Sequence, residues 1–124
     1  MSYVDGFVLV VPKKNRKAYQ KMANMGGKIW KKHGALQYFE CIGDDLNPNM
    51  KGMKALNFPQ LTKQKKGEDV WYSFIIYKSK KHRDEVNKKV MAEMMKDKNM
   101  HKDMKMPFDM NRMSYGGFKT EVEF

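Results

Sequence analysis

The three arginines of this chain, Arg16, Arg83 and Arg112, stand among 22 lysines. A lysine offers a point charge, whereas a guanidinium offers a planar fork that grips a carboxylate or an anionic ligand through two parallel hydrogen bonds. In a chain that uses lysine nearly everywhere, arginine points to specific pairing, with a substrate or with a carboxylate of the scaffold. Cys41 is the single cysteine. It excludes an internal disulfide and a Cys-based zinc site, and as a nucleophile it would need an adjacent base. His33, His82 and His101 fall at a helix end, a helix start and a loop, and no spacing ties one to Cys41. Eight methionines lie between Met91 and Met113. Thioethers bind Cu(I), yet Met91, Met94 and Met95 continue an apolar stripe begun by Val86 and Val90, so core packing explains them. Heme would want an axial histidine on a pocket wall, and nothing selects one. The expectation is no metal and no cofactor.

The elements that must position these residues follow from periodicity. Residues 4–12 are β-branched and aromatic and end at Pro12, which predicts a strand. A helix is expected from about 15 to 33, with Ala18, Tyr19, Met22, Ala23, Met25, Ile29 and Trp30 near the 3.6 period. Gly26-Gly27 lets it lie close to a sheet, and Gly34 supplies a left-handed stop. Residues 35–42 read as a second strand, on which Glu40 and Cys41 point to opposite faces. Residues 43–68, with Asn47-Pro48, Gly52, Pro59 and Gly67, read as a long connection with one short helical turn. A third strand covers 70–77. Ser79 caps a second helix running to about Met95, one face lined by Val86, Val90, Met91, Met94 and Met95. Residues 96–112 read as loop plus a helical turn. A last strand covers 114–122, with Gly116-Gly117 as a bulge or a close-approach point.

The chain has 124 residues, a net charge of +11, 41% hydrophobic and 12% aromatic residues. Such a length supports one domain over 1–124 with a modest core. No apolar run approaches the roughly 18 residues of a membrane span. The start, Met-Ser-Tyr-Val-Asp, lacks a basic n-region, so no signal peptide is expected, and the expected location is cytoplasmic. The excess of Met over Leu (13 against five) and of Lys over Arg is read as compositional preference.

The order β-α-β-β-α-β predicts an α+β, ferredoxin-like domain: a four-stranded antiparallel sheet with two helices on one face. Its central strands are apolar on both sides. Strand one offers Phe7, Leu9 and Val11 to one side and Val4, Val8 and Val10 to the other; strand three offers Val70, Tyr72, Phe74 and Ile76 to one side and Trp71, Ile75 and Tyr77 to the other. An antiparallel sheet with one wet face should alternate apolar with polar. Two helices cover one face, so a second copy of the sheet is expected over the other, in a two-fold dimer. Nucleic acid is the rival cover.

Several blocks resemble the YbaA-like family of small bacterial proteins. They are Tyr-Val-Asp-Gly-Phe-Val at 3–8, Gly34-Ala35-Leu36 with Glu40-Cys41, Ser73-Phe74 with Tyr77 and Ser79, and Arg83-Asp84 with Asn87. The most specific is Met-Pro-Phe-Asp at 106–109, followed by Arg112-Met113 and Tyr-Gly-Gly-Phe at 115–118. The resemblance spans nearly the whole chain, with Phe74 and Met110 departing from commoner Trp and Gly and 46–68 matching weakly. It implies a dimeric α/β barrel in which two ferredoxin-like sheets pack face to face, in a family with no assigned reaction. Its superfamily neighbours include cofactor-free monooxygenases, heme-degrading enzymes and simple binding proteins, and fold does not choose among these.

Asp5, Glu40, Arg83, Asp109 and Arg112 are the charged members of these blocks, with Tyr115 beside them. One reading is a polar pocket between sheet and helices, where a carboxylate acts as base and an arginine holds a small organic anion. The other is an ion-pair network that fixes residues 106–113 onto the sheet. The basic balance offers a further class. Between Lys13 and Lys32 there are eight cations and no acid. Lys13, Lys14, Arg16, Lys17, Lys21 and Lys28 are the candidate contacts for weak, nonspecific nucleic-acid binding by counterion release. The third strand lacks the Gly and basic lead of the RNA-recognition signature. The leading expectation is a homodimeric small-molecule-binding protein or cofactor-free enzyme.

Overall fold

β1 (Tyr3–Pro12) is the hub of the sheet, pairing antiparallel with β3 (Glu68–Tyr77) on one side and β4 (Ser114–Lys119) on the other. β2 (Gln37–Ile42) pairs antiparallel with β3, giving the order β2-β3-β1-β4. The computed structural model describes residues 1–49, 51–96 and 106–124. Among these lie three helices: α1 (Arg16–Lys32), the short α2 (Phe58–Thr62) and α3 (Lys80–Lys96). The protein is therefore α+β, with an open four-stranded antiparallel sheet and not a closed barrel. None of its described helices is long and apolar enough to cross a membrane.

The local signals act as expected. Gly34 at φ +114° ends α1; Ala35 N–H donates to Trp30 O at 3.0 Å and Gly34 N–H to Lys31 O at 3.2 Å. This is the Schellman closure, which favours glycine because a Cβ is strained there. Ser79 Oγ accepts from His82 N–H at 3.1 Å and caps α3. Asn57 and Gln60 form a reciprocal capping box that starts α2 after the irregular 43–57 stretch. The expected loop and turn of 96–112 falls partly outside the described residues; a 3-10 turn forms at Met110–Arg112.

Register sorts the side chains. Phe7, Leu9 and Val11 share a face with Trp71, Ile75 and Tyr77 and with Tyr38, Glu40 and Ile42. On that face Leu9, Val11 and Trp71 pack with Tyr19 and Ala23 of α1. Ile75 and Tyr77 pack with Val86 and Val90 of α3. The α3 stripe is narrower than expected. Val86, Val90 and Met94 follow one i, i+4 line into the core, whereas Met91 and Met95 are exposed, one position round the helix. The other face carries Val4, Val8, Phe39, Cys41, Tyr72, Phe74, Ile76 and Phe118. α2 and its approach cover one end of it, where Phe58 meets Tyr72 edge-on and Val10 and Val70 are buried.

Candidate functional site

A cleft of about 640 Å³ opens on the helix side between α1 and the β2 edge. Gln20, Ala23, Asn24, Gly27, Lys28 and Lys31 form one wall; Tyr38, Glu40, Ile42 and Trp71 form the other and the floor. Its width is set by small residues. A Cβ added to Gly27 would stand 3.1 Å from Tyr38 Cδ1, and one on Gly26 would stand 3.2 Å from the Tyr38 hydroxyl. The glycine pair thus lets the Tyr38 ring lie against α1.

Glu40 is the charged centre. Tyr19 Oη donates to its Oε2 at 2.8 Å, Tyr38 Oη donates to Oε1 at 2.9 Å, and Ser73 Oγ donates to Oε2. Burial, followed by the negative charge of Glu40, raises the Tyr19 and Tyr38 phenols well above the ordinary tyrosine range. Both stay protonated donors. Trp30 packs on Tyr38 with ring centres 6.2 Å apart and donates its indole N–H to Asn87 Oδ1 at 3.1 Å. Tyr77 Oη donates to the same oxygen at 3.3 Å. α3 therefore helps to hold the ring that orients Glu40. The buried Trp71 indole N–H, by contrast, has no acceptor among the described residues.

The remaining candidates lie elsewhere. Arg83 Nη1 donates to buried Asp5 at 2.7 Å and Arg83 Nε to Asp84 at 2.7 Å, with the guanidinium 4.9 Å above the Tyr3 ring. Gly117, paired with Asp5 across the strands, makes room for this stack. At the far end of β3, Arg112 makes a bidentate pair with Glu68 at 2.7 and 2.6 Å. It also donates to Asp109 at 3.0 Å and to Lys63 O at 3.1 Å. Four of the five guanidinium N–H donors are thereby occupied. Hydrogen bonds from Arg112 hold the Glu68 and Asp109 carboxyls below their ordinary ranges. Arg16 forks onto Asp69 at 2.9 and 3.0 Å. Lys13, Lys14, Lys17, Lys21 and Lys28 are exposed.

Of the six sequence candidates, Asp5 and Arg83 meet in one cluster and Asp109 and Arg112 in another. Glu40 stands apart from both, in the cleft. Tyr115 is 73% exposed and stacks on Phe7 at 5.8 Å. The six do not form one pocket. Each arginine instead ties a helix or loop to the sheet. Cys41 takes the outer face, opposite to Glu40, and is exposed. Sequence reasoning missed Tyr19, Tyr38 and Ser73 as partners of Glu40. The i, i+2 spacing of Tyr38 and Glu40 was legible as one strand face; Ser73 needed the strand register, and Tyr19 the docking of α1.

The chain matches, over residues 2–110, the family described as protein of unknown function DUF1428. It is 39% identical over 124 residues to the uncharacterized protein YbaA of Escherichia coli K12, covering 99% of each chain, and equally so to YbaA of Shigella flexneri. Among solved structures, the de novo designed protein Foldit4 aligns over 98% of this chain and 100% of its own at a TM-score of 0.45 and 9% identity, too remote to bear on the fold. Family match and near-complete relatives agree: this chain belongs to the DUF1428 family, alongside the YbaA proteins.

Proposed function

We propose that the protein is a homodimeric binder of small organic anions and that the α1/β2 cleft is its binding site. The observation that carries this is Glu40, fixed by three hydroxyl donors on the floor of a ligand-sized cleft whose α1 wall bears Lys28 and Lys31. Pockets of about 300–1,000 Å³ with apolar walls and a few fixed polar groups suit small ligands. A cofactor-free enzyme would use Glu40 as base. A carboxylate has about four lone-pair sites, and with three already engaged Glu40 is better suited to orienting a ligand than to taking its proton. The test is a thermal-shift and native mass-spectrometry screen against small organic acids. Binding that disappears in both Lys28→Ala and Glu40→Gln supports the site; binding that survives both removes it.

The dimer reading rests on the outer sheet face. Phe39, Tyr72 and Phe118 are 41%, 45% and 62% exposed there, and Phe39 stacks on Phe74 at 4.7 Å. About 500 Å² of apolar area, at about 25 cal/mol per Å², gives a gross gain of about 12 kcal/mol before association costs. The element order and the strand order β4-β1-β3-β2 support the ferredoxin-like reading, and a second copy on the apolar face would complete a dimeric barrel. Nucleic acid is the weaker cover. The α1 lysines lie on the opposite side of the sheet from Phe39, Tyr72 and Phe118, and single-strand binding combines a cationic groove with an aromatic stacking platform. An oligonucleotide that binds tightly at low salt and quenches Tyr72 would reverse this preference.

A further inference from the structure

Four carboxylates lie in the strands: Asp5, Glu40, Glu68 and Asp69. Three of them take an arginine. Arg83 pairs with Asp5, Arg112 with Glu68 and Arg16 with Asp69. Glu40 has no cation within ion-pair distance among the described residues. Its donors are neutral hydroxyls, Tyr19 and Ser73 on Oε2 and Tyr38 on Oε1. A carboxylate oxygen accepts about two hydrogen bonds, so Oε1 keeps one position open. The three donors come from α1, β3 and β2. β2 is the edge of the sheet, so no further strand supplies a fourth. Glu40 is only partly buried and lines the cleft. The α1 wall carries the opposite charge. Asn24 and Lys28, one helical turn apart, are both exposed and both line the cleft.

We propose that the cleft takes an amino acid, whose protonated amine donates to Glu40 Oε1 and whose carboxylate is held by Lys28 and Asn24. This rests on the reading of the cleft as an organic-acid site and adds the second group that the acid carries. Charge orders the two ends. A ligand carboxylate beside Glu40 would meet a like charge, as would an ammonium beside Lys28. The acid end therefore belongs at the α1 wall and the amine at the floor. An ammonium brings donors and the positive charge that the scaffold gives to Asp5, Glu68 and Asp69 but not to Glu40. A ligand hydroxyl would add only a fourth neutral donor and leave that charge unmatched. Hydrogen bonds between ionised groups are also the stronger kind. Ala23, Ile42 and Trp71 line the space between the two ends and accept the carbon skeleton. A plain acid fills the same space and leaves Oε1 without its donor. Sites built to hydrogen-bond one group discriminate against analogues that lack it.

Two carbon skeletons, each in amine, hydroxyl and plain form, test this on the intact protein. They are phenylalanine, 3-phenyllactate and 3-phenylpropionate, and, at a longer spacing, 4-aminobutanoate, 4-hydroxybutanoate and butanoate. Titrations followed by the amide resonances of Gly27, Lys28 and Tyr38 read the affinities. The side-chain carboxyl carbon of Glu40, assigned through its own backbone, reads the contact. On at least one skeleton the amine form is expected to bind roughly tenfold tighter than both other forms and alone to shift the Glu40 carboxyl resonance. In Glu40→Gln that advantage disappears, whereas Lys28→Ala weakens the forms of that skeleton together. Amine forms no tighter than the plain forms on both skeletons overturn the proposal and leave the cleft a site for plain acids. A hydroxyl form as tight as its amine form overturns it too, because a neutral donor then suffices. So does an advantage that persists in Glu40→Gln. If none of the six, nor any acid of the wider screen, moves a cleft resonance, the binding reading itself has failed and the proposal with it. Should Glu40→Gln not fold, the affinity ratios and the Glu40 carboxyl resonance decide on the unaltered protein.

Discussion

A methyl group added at Gly117 would stand 2.3 Å from the Tyr3 hydroxyl and 2.9 Å from Arg83 Nη1. The end of the Tyr3 ring and the guanidinium must both shift, and the shift of Arg83 Nη1 disturbs its pair with Asp5. Gly117→Ala is expected to destabilise the protein by about 1–3 kcal/mol in urea unfolding, the range of an overpacked site. Gly116→Ala is its control: the nearest atom to the added Cβ is Phe118 Cε2 at 3.9 Å, so the change should stay within about 0.5 kcal/mol. Equal effects would mean that the Tyr3–Arg83 stack does not fill that space. The phenols give a second expectation. Burial raises Tyr19, Tyr38 and Tyr77. A phenol raised on folding contributes stability that is complete below the unfolded value, about 10, and is lost as pH rises through the folded value. Absorbance titration should therefore show these three ionising only with alkaline unfolding. Complete ionisation of all six tyrosines in the folded protein would contradict it. At this scale the sequence showed that Glu40 and the arginines mattered, but not whom they met. Partners such as Ser73 and Tyr19 lie 33 and 21 positions away, and only register and docking bring them in.

The strands and helices were more legible, because their signals are local. Gly34 and Ser79 fix the ends of α1 and α3 through hydrogen bonds spanning a few residues, and alternation fixes the faces of β1 and β3. The α3 stripe was overread, since five apolar residues on a helix span more arc than this sheet covers. The segment 106–113 shows how an element without periodicity is held. Asn15 Nδ2 donates to Pro107 O at 3.1 Å, Phe108 meets Tyr19 edge-on, and Arg112 grips Glu68. Because Arg112 lowers the Glu68 and Asp109 carboxyls, their contribution is complete above the unfolded carboxylate range, about 4, and is lost as pH falls through the folded values. Arg112→Gln should therefore unfold at lower denaturant than the unaltered protein at neutral pH. The gap should close as pH falls below the unfolded carboxylate range, about 4, and through the lowered folded values. A gap constant across that window would remove the ion pair from the account. Ligand response should be unchanged in this variant, since Arg112 stands outside the cleft.

At the scale of the molecule, the sequence announced a sheet apolar on both sides, and the exposed Phe39, Tyr72 and Phe118 are the consequence. Phe118→Glu places a charge on that face. Light scattering should find a dimer for the unaltered protein and a monomer for the variant, with the circular dichroism spectrum retained. A monomeric unaltered protein would leave the face to another partner. A pocket between sheet and helices was expected, but its walls were not legible: they come from α1, β2 and β3, and its width depends on how closely Gly26 and Gly27 let α1 approach Tyr38. The most direct test of the cleft is a resonance-by-resonance titration of the intact protein with a mixture of small organic acids. The amides of Gly27, Lys28 and Tyr38 and the indole of Trp71 should shift together and saturably, while those of Arg83 and Arg112 stay in place. Shifts that gather around Arg83 or Arg112 instead, or cleft resonances that do not move, would contradict the assignment.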